Sequence, residues 1–417
     1  MPNGFPENLS DMAEEMNIGL VQRGTVDWVG GIELEKNLIE ATRRYAEKEG
    51  KTVQFTLLGQ RGSDSNKRSI AGDAFEKLNQ LEWPPPDSER TKDLREGTWR
   101  SGIFRRSKEK TERLIRIEDR DNKGRYLKEA GVDFIYPPFV IPTDYQKHSA
   151  TWICDFQHKF LPEYFSGKEI ARRDKLFQSL ATRVDVIVVS SETAVGHYRE
   201  FYPSAEVDLV SLPFRIILPE GLFEKDPTPV PKKYHLPENF FVVCNQFWEH
   251  KNHTVVLDAV EKLIADGVDC TVAMTGRIHD DRNPQYAEGL LTEIQQRGLY
   301  QNIRVLGLVP KEDQLQLIRT ARAVIQPSFF EGWSTIVEES HALGAKMILS
   351  DLPVHREQTH PSAVFFDPRN RDELCDAMRQ EMELPSSGAS MGAPEYPDLI
   401  LKFGKQFYDL AASKSRS

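Results

Sequence analysis

Glu331-Gly332-Trp333-Ser334-Thr335-Ile336-Val337-Glu338-Glu339 places two carboxylates across the start of a helix. Glu331 falls in a loop after an apolar run, and Glu339 falls just over one turn into the helix that follows. Two carboxylates so spaced can accept hydrogen bonds from a hydroxyl-rich ligand, such as a sugar with its nucleotide carrier. Thr335 and Glu338 fit a reciprocal helix cap, which gives Glu338 a local task and leaves Glu339 free. The unpaired backbone N–H groups at the helix start would face the same ligand and favour an anion there.

A second group lies in Asn245-Gln246-Phe247-Trp248-Glu249-His250-Lys251-Asn252-His253, which joins a strand to a helix. A cation at a helix N-terminus is locally unfavourable, because the helix dipole already places positive charge there. Lys251 in that position implies a bound anion, with a diphosphate as the obvious choice. Taken alone it also fits a solvated lysine in a polar turn, but its pairing with the Glu331–Glu339 loop favours the anion.

The elements that must hold these residues alternate. In the first half, strands are expected at Ile18–Val21, Val53–Leu58, Asp133–Ile135, Thr151–Cys154, Val186–Ser190 and Val207–Leu212. Helices are expected from about Glu33 to Ala46, near Glu169–Thr182 and near Glu192–Phe201. In the second half, strands recur at Phe240–Cys244, Thr271–Met274, Arg304–Leu306, Val324–Gln326, Met347–Leu349 and Val364–Phe366. Such alternation means parallel sheets covered on both faces, with ligands at the carboxyl ends of the strands. Prolines 219, 227, 229, 231 and 237 crowd the stretch between the halves, which reads as a linker without helix or central strand. The expected layout is an α/β protein of two Rossmann-like domains, at 1–218 and 239–387, with a linker at 219–238. A loop and a final helix at 388–417 close the chain.

With 417 residues, 28% of them charged, and a net charge of −10, a soluble two-domain protein is expected. The acidic balance argues against a general nucleic-acid binder. No apolar run approaches the roughly eighteen residues of a membrane span, and Met1–Met16 does not read as a signal peptide. The four cysteines lack metal-type spacing and fit reduced thiols of a cytoplasmic protein.

The chain resembles the retaining nucleotide-sugar glycosyltransferases of the GT-B fold. The residues that carry the likeness are Pro327–Trp333 and Glu339, then Ala342, Gly344, Ser350-Asp351, Asn302–Gly307 and Asn245–Asn252. The first half joins through Gly30-Gly31, Asp155–His158 with Pro162-Glu163, and Ser190–Glu192, while 62–125 has no counterpart and reads as an insertion or acceptor loop. The resemblance implies that Glu331 lies against the donor sugar, with Gly332, Trp333, Ser334 and Thr335 near sugar and phosphates. It implies that Glu339 holds the ribose, Lys251 neutralises the departing diphosphate, Gly31 lets a first-domain loop approach it, and Val309 lies beside the base. It also implies that the loop and final helix at 388–417 pack back on the first domain. Many relatives carry Arg where this chain has Gln246. Either Gln246 binds phosphate as a neutral donor, or Arg277 or another cation supplies the charge.

His158 is either a catalytic group facing the cleft or a structural hydrogen-bonder, and Asp155 is either an acceptor-side group or a strand-end cap. The basic segment Arg95–Arg116, including Arg105 and Arg106, is either a solvated surface or a patch for anionic glycans, lipid phosphates or a membrane surface.

The resemblance thus implies transfer of a hexose, from a UDP- or GDP-linked donor, to a glycan or lipid-linked glycan. The donor's anomeric configuration would be kept, with no metal or cofactor, in the cytoplasm or peripherally at a membrane. A nucleotide-sugar epimerase and a degenerate glycan-binding homologue stand as alternatives.

Overall fold

The computed structural model describes residues 15–21, 29–59, 78–83, 117–118, 120–138, 141–280, 282–358, 363–385 and 388–415. Arg105 and Arg106, with the rest of the basic segment, lie outside the described residues.

The first domain carries strands β1 (Met16–Val21), β2 (Val53–Gly59), β3 (Asn79–Glu82) and β4 (Phe134–Tyr136) in the order β3-β2-β1-β4. Strands β5 (Ala150–Ile153), β6 (Val186–Val189) and β7 (Asp208–Ser211) follow in sequence. A parallel bridge between Ile135 and Ser149 joins the two groups. The second domain has β8 (Phe241–Cys244), β9 (Val272–Thr275), β10 (Ile303–Gly307), β11 (Val324–Gln326), β12 (Met347–Ser350) and β13 (Val364–Phe366). Their order is β10-β9-β8-β11-β12-β13, and every pairing is parallel. This is the doubly wound order, with a crevice where the winding reverses, between β8 and β11. The strands read as continuous apolar runs because helices cover both faces; Val186–Val189 and Met347–Ser350 are buried throughout. The twelve expected strands are present, with ends shifted by at most two residues and not at all in β11 and β13. The edge strand β3 is polar and escaped the apolar-run criterion.

Helix α1 (Val29–Lys48) begins earlier than its sequence pattern suggested, so Gly31 sits buried in its first turn rather than in a loop. The linker also departs from expectation. Pro229 occupies the first helical position of a short turn, Pro229–Lys233, where its missing N–H costs nothing.

Other helices used below are α2 (Gln157–Phe160), α3 (Gly167–Leu180), α4 (Glu192–Phe201), α5 (His253–Ala265), α6 (Lys311–Thr320), α7 (Thr335–Leu343), α8 (Pro353–Gln358) and α9 (Tyr396–Lys414). Helix α9 lies along α1, tightly enough that a Cβ added to Gly404 would meet the Ala41 carbonyl oxygen at 2.0 Å. No helix among the described residues is long and apolar enough to cross a membrane.

The domains meet through polar and aromatic contacts. Glu357 of α8 reaches across to the start of α4 and accepts from the N–H groups of Glu192 (2.6 Å) and Thr193 (3.0 Å). The carboxylate of one domain thus caps a helix of the other, where the dipole favours it. The Phe160 and Phe330 rings stack across the same gap at 5.3 Å. Glu357→Ala should cost about 1 kcal/mol of cap energy and loosen this closure. A lower melting temperature with a larger radius of gyration by small-angle scattering is expected. An unchanged radius would show that Glu357 does not hold the domains together.

Candidate functional site at the interdomain cleft

The loop after β11 is fixed by a polar chain that begins in the sheet. Gln326 ends β11 fully buried, and its side-chain Oε1 accepts from Asn245 Nδ2 at 2.8 Å. Its Nε2 donates to Glu331 Oε1 at 2.7 Å. Lys251 Nζ reaches the same oxygen at 2.7 Å, and both side chains are largely withdrawn from water (12% and 8% exposed). Burial pushes the Glu331 carboxyl up, but Lys251, the neighbouring His355 and further hydrogen bonds outweigh it and hold the pKa at about 2. Glu331 is therefore an anion at any physiological pH, with its charge matched by Lys251.

Lys251 is aimed by local backbone geometry. It ends a tight turn, Glu249–Lys251, and Asn252 follows in the left-handed region (φ 57°). Asn252 tolerates that conformation and donates from Nδ2 to the carbonyls of Pro327 (3.0 Å) and Pro368 (2.8 Å), so the turn is pinned to the Glu331 loop. The Asn245–Gln326–Glu331 relay and the Asn252 clamp were not foreseen. Their one sequence signal was a polar residue ending an otherwise apolar strand.

Gly332 lies where the domains touch: a Cβ there would come 2.5 Å from the Cys154 carbonyl oxygen and 2.7 Å from Asp155 Cβ. Trp333 is buried and donates from Nε1 to the Phe214 carbonyl at 3.2 Å. Ser334 precedes α7 and is held by Gln358 in both directions, Ser334 N to Oε1 at 3.1 Å and Nε2 to Ser334 O at 2.6 Å. Thr335 opens α7 without a side-chain cap bond.

The expected reciprocal cap between Thr335 and Glu338 does not form. Glu338, itself fully buried, instead accepts from the partly buried Arg215 Nη1 (2.8 Å) and from the Tyr396 hydroxyl (2.8 Å). A long-range cation outcompetes a local cap here, and the pair joins the end of the first domain to α7 and α9. Burial raises the Glu338 carboxyl pKa, with Arg215 and Tyr396 opposing it.

Glu339, one residue on, is also engaged. Lys311 at the start of α6 pairs with Oε1, and Gln314 Nε2 donates to Oε2 at 2.8 Å. Val309, half-buried, sits between β10 and Lys311 at the same strand-end edge. Gln246 accepts from Arg277 N at 3.2 Å through Oε1, which leaves its amide NH₂ as the donor. Arg277 is exposed and lies two residues past β9.

The first-domain side presents Asp155 but not His158. Asp155 accepts from Gln157 N at 2.9 Å, as a strand-end cap would, while still bordering Gly332. His158 is buried (1% exposed), with Nε2 3.1 Å from Asp174 Oδ1 and Phe165 and Phe177 against its ring. Burial lowers its pKa, with Asp174 opposing. In this arrangement the ring belongs to the first-domain core and not to the cleft wall.

Residues 228–394 match the family model described as "Glycosyl transferases group 1". Over 260 residues the chain is 23% identical to the O-antigen chain mannosyltransferase B of Escherichia coli, covering 60% of this chain and 66% of that one, just under two thirds. Among solved structures, HepE (Alr3699) of Anabaena in complex with UDP and glucose superimposes with a TM-score of 0.63 and 14% identity, covering 95% of this chain and all (100%) of that one. Sucrose-phosphate synthase of Thermosynechococcus elongatus does so with 0.62, 14% identity and the same coverage (95% and 100%). Residues 228–394 therefore form a glycosyl transferases group 1 domain, carried on a GT-B fold.

Proposed function

We propose that this protein transfers a hexose from a UDP- or GDP-linked donor to a glycan or lipid-linked glycan, keeping the donor's anomeric configuration. The observation that carries the reading is the Lys251–Glu331 pair at the second-domain strand ends, beside the start of α7. The donor's diphosphate would draw Lys251 into contact with its outer phosphate, and Gln246 would add a neutral donor where an arginine is missing. Charge that develops on the departing diphosphate is then met by a preorganised cation and by the helix start. The sugar would lie against Glu331, and the base beside Val309. Ribose hydroxyls would exchange for Lys311 on Glu339.

The reading invokes no metal or cofactor, because Lys251 supplies the positive charge. It places the protein in the cytoplasm, with peripheral membrane contact through the basic segment. Retention rests on the resemblance, and the UDP and glucose bound to HepE are consistent with a nucleotide-sugar donor. An epimerase needs acid and base groups around the sugar, and His158 is withdrawn into the core. Proton NMR of incubations with UDP- and GDP-hexoses tests the reading. The first-formed product should carry the donor's anomeric configuration; an inverted product would overturn retention. Conversion to an epimeric nucleotide sugar would overturn transfer.

A further inference from the structure

A cavity of about 360 Å³ opens between the domains beside the turn that carries Lys251. Glu163, Tyr164 and Phe165 line it from the first domain, and Glu249, His250 and Arg282 from the second, with Asp280 and Asn283 behind them. Its charge is one-sided. Asp280 is turned inward, accepting from Glu249 N (3.3 Å) and Arg282 N (2.9 Å). Glu249 accepts from Asn283 through one oxygen at 2.8 Å. Glu163 is exposed at the rim. Arg282 is the one cation among the lining residues. It spreads over the rings of Phe165 (5.2 Å) and Trp248 (5.4 Å) and donates to Gln157 Oε1 at 3.3 Å.

His250 adds a polar ring to the same wall. It is 6% exposed, and among the described residues its ring makes contacts with Tyr164 (6.4 Å) and Trp248 (5.7 Å) but no hydrogen bond. Burial holds its pKa well below the ordinary value, so the ring is neutral, able to donate at one nitrogen and accept at the other.

We propose that this cavity receives a neutral, hydroxyl-bearing ring of the acceptor, and that it disfavours an anionic one. This rests on the transferase reading above. Hydroxyls would donate to Glu163 and Glu249 and exchange hydrogen bonds with His250 and the Tyr164 phenol. The faces of Tyr164 and Phe165 would take the ring's C–H groups. A phosphate in the same space would face the Glu163 and Glu249 carboxylates, while the one guanidinium, Arg282, is already engaged by Asp280 (3.9 Å) and Gln157. Lys251 follows His250 in the chain but turns its Nζ to Glu331 and does not line the cavity.

The test uses the full-length protein and saturation-transfer NMR, with methyl glycosides of common hexoses compared against the matching hexose 6-phosphates. In the wild type, at least one methyl glycoside should bind, and more tightly than its phosphate. Tyr164→Ala should lose the glycoside signal, and Glu163→Lys should shift preference toward the phosphates. No glycoside binding, tighter phosphate binding in the wild type, or glycoside binding that survives both variants would overturn the inference. Thermal shifts with UDP and GDP on the same samples separate the two claims. A nucleotide shift without glycoside binding sinks the cavity inference alone. Absence of any nucleotide shift sinks the transferase reading on which it rests.

Discussion

Glu331→Gln should lower kcat by roughly 10²–10³-fold, the scale for removing one group aimed at charge in a transition state. The substitution keeps the shape of the side chain and the loop, so the protein should remain folded. It removes the anion that positions Lys251 at 2.7 Å, and with it any charge-assisted contact to the donor sugar. The same change carries a pH signature. Glu331 has its pKa depressed to about 2 in the folded protein, against an ordinary value of 4.5. Its contribution to stability is fully present above the unfolded value and is lost as pH falls toward about 2. That contribution is on the order of 3 kcal/mol. The wild type should therefore be more stable than Glu331→Gln at neutral pH, and the difference should vanish on acidification. Equal pH dependence in the two proteins would mean that the carboxylate is not held by Lys251.

Lys251→Met should be the more damaging change to the fold and equally damaging to turnover. It strands the Glu331 carboxylate in a site that is 8% exposed, and breaking a buried pair in this way costs about 3–5 kcal/mol. With the lysine gone, burial dominates and the Glu331 pKa rises above its unfolded value. The sign then reverses: the variant should be most stable below the unfolded pKa and should lose stability as pH rises through the folded one. Combining Lys251→Met with Glu331→Gln should recover melting temperature without recovering activity. Failure of the double variant to regain stability would show that Lys251 matters through contacts other than Glu331.

The fold was legible because a doubly wound sheet is buried on both faces, and its strands become runs such as Val186–Val189 that need no partner to be recognised. The strand β3 escaped because an edge position lets Asn79–Glu82 stay polar. The roles of Glu331 and Lys251 were assigned by motif and resemblance, and the structure brings them within hydrogen-bond distance.

What the sequence withheld was partner choice over long separations. Glu338 has a cap residue within reach, yet it binds Arg215 and Tyr396 from other elements. Glu339 read as free but is held by Lys311 and Gln314 of α6. His158 sits beside a cleft motif and still turns into the core, because Asp174 of α3 offers it a partner there. Each outcome depends on helix packing that local spacing does not encode.

The second-domain strand ends should form a nucleotide-diphosphate site built on Lys251, Glu331 and Glu339. The most direct test is thermal stabilisation of the wild type by UDP, GDP, ADP and dTDP, with Glu339→Ala alongside. A rise in melting temperature is expected with UDP or GDP, reduced or lost in the variant. No shift with any of the four, or an equal shift in Glu339→Ala, would contradict the account.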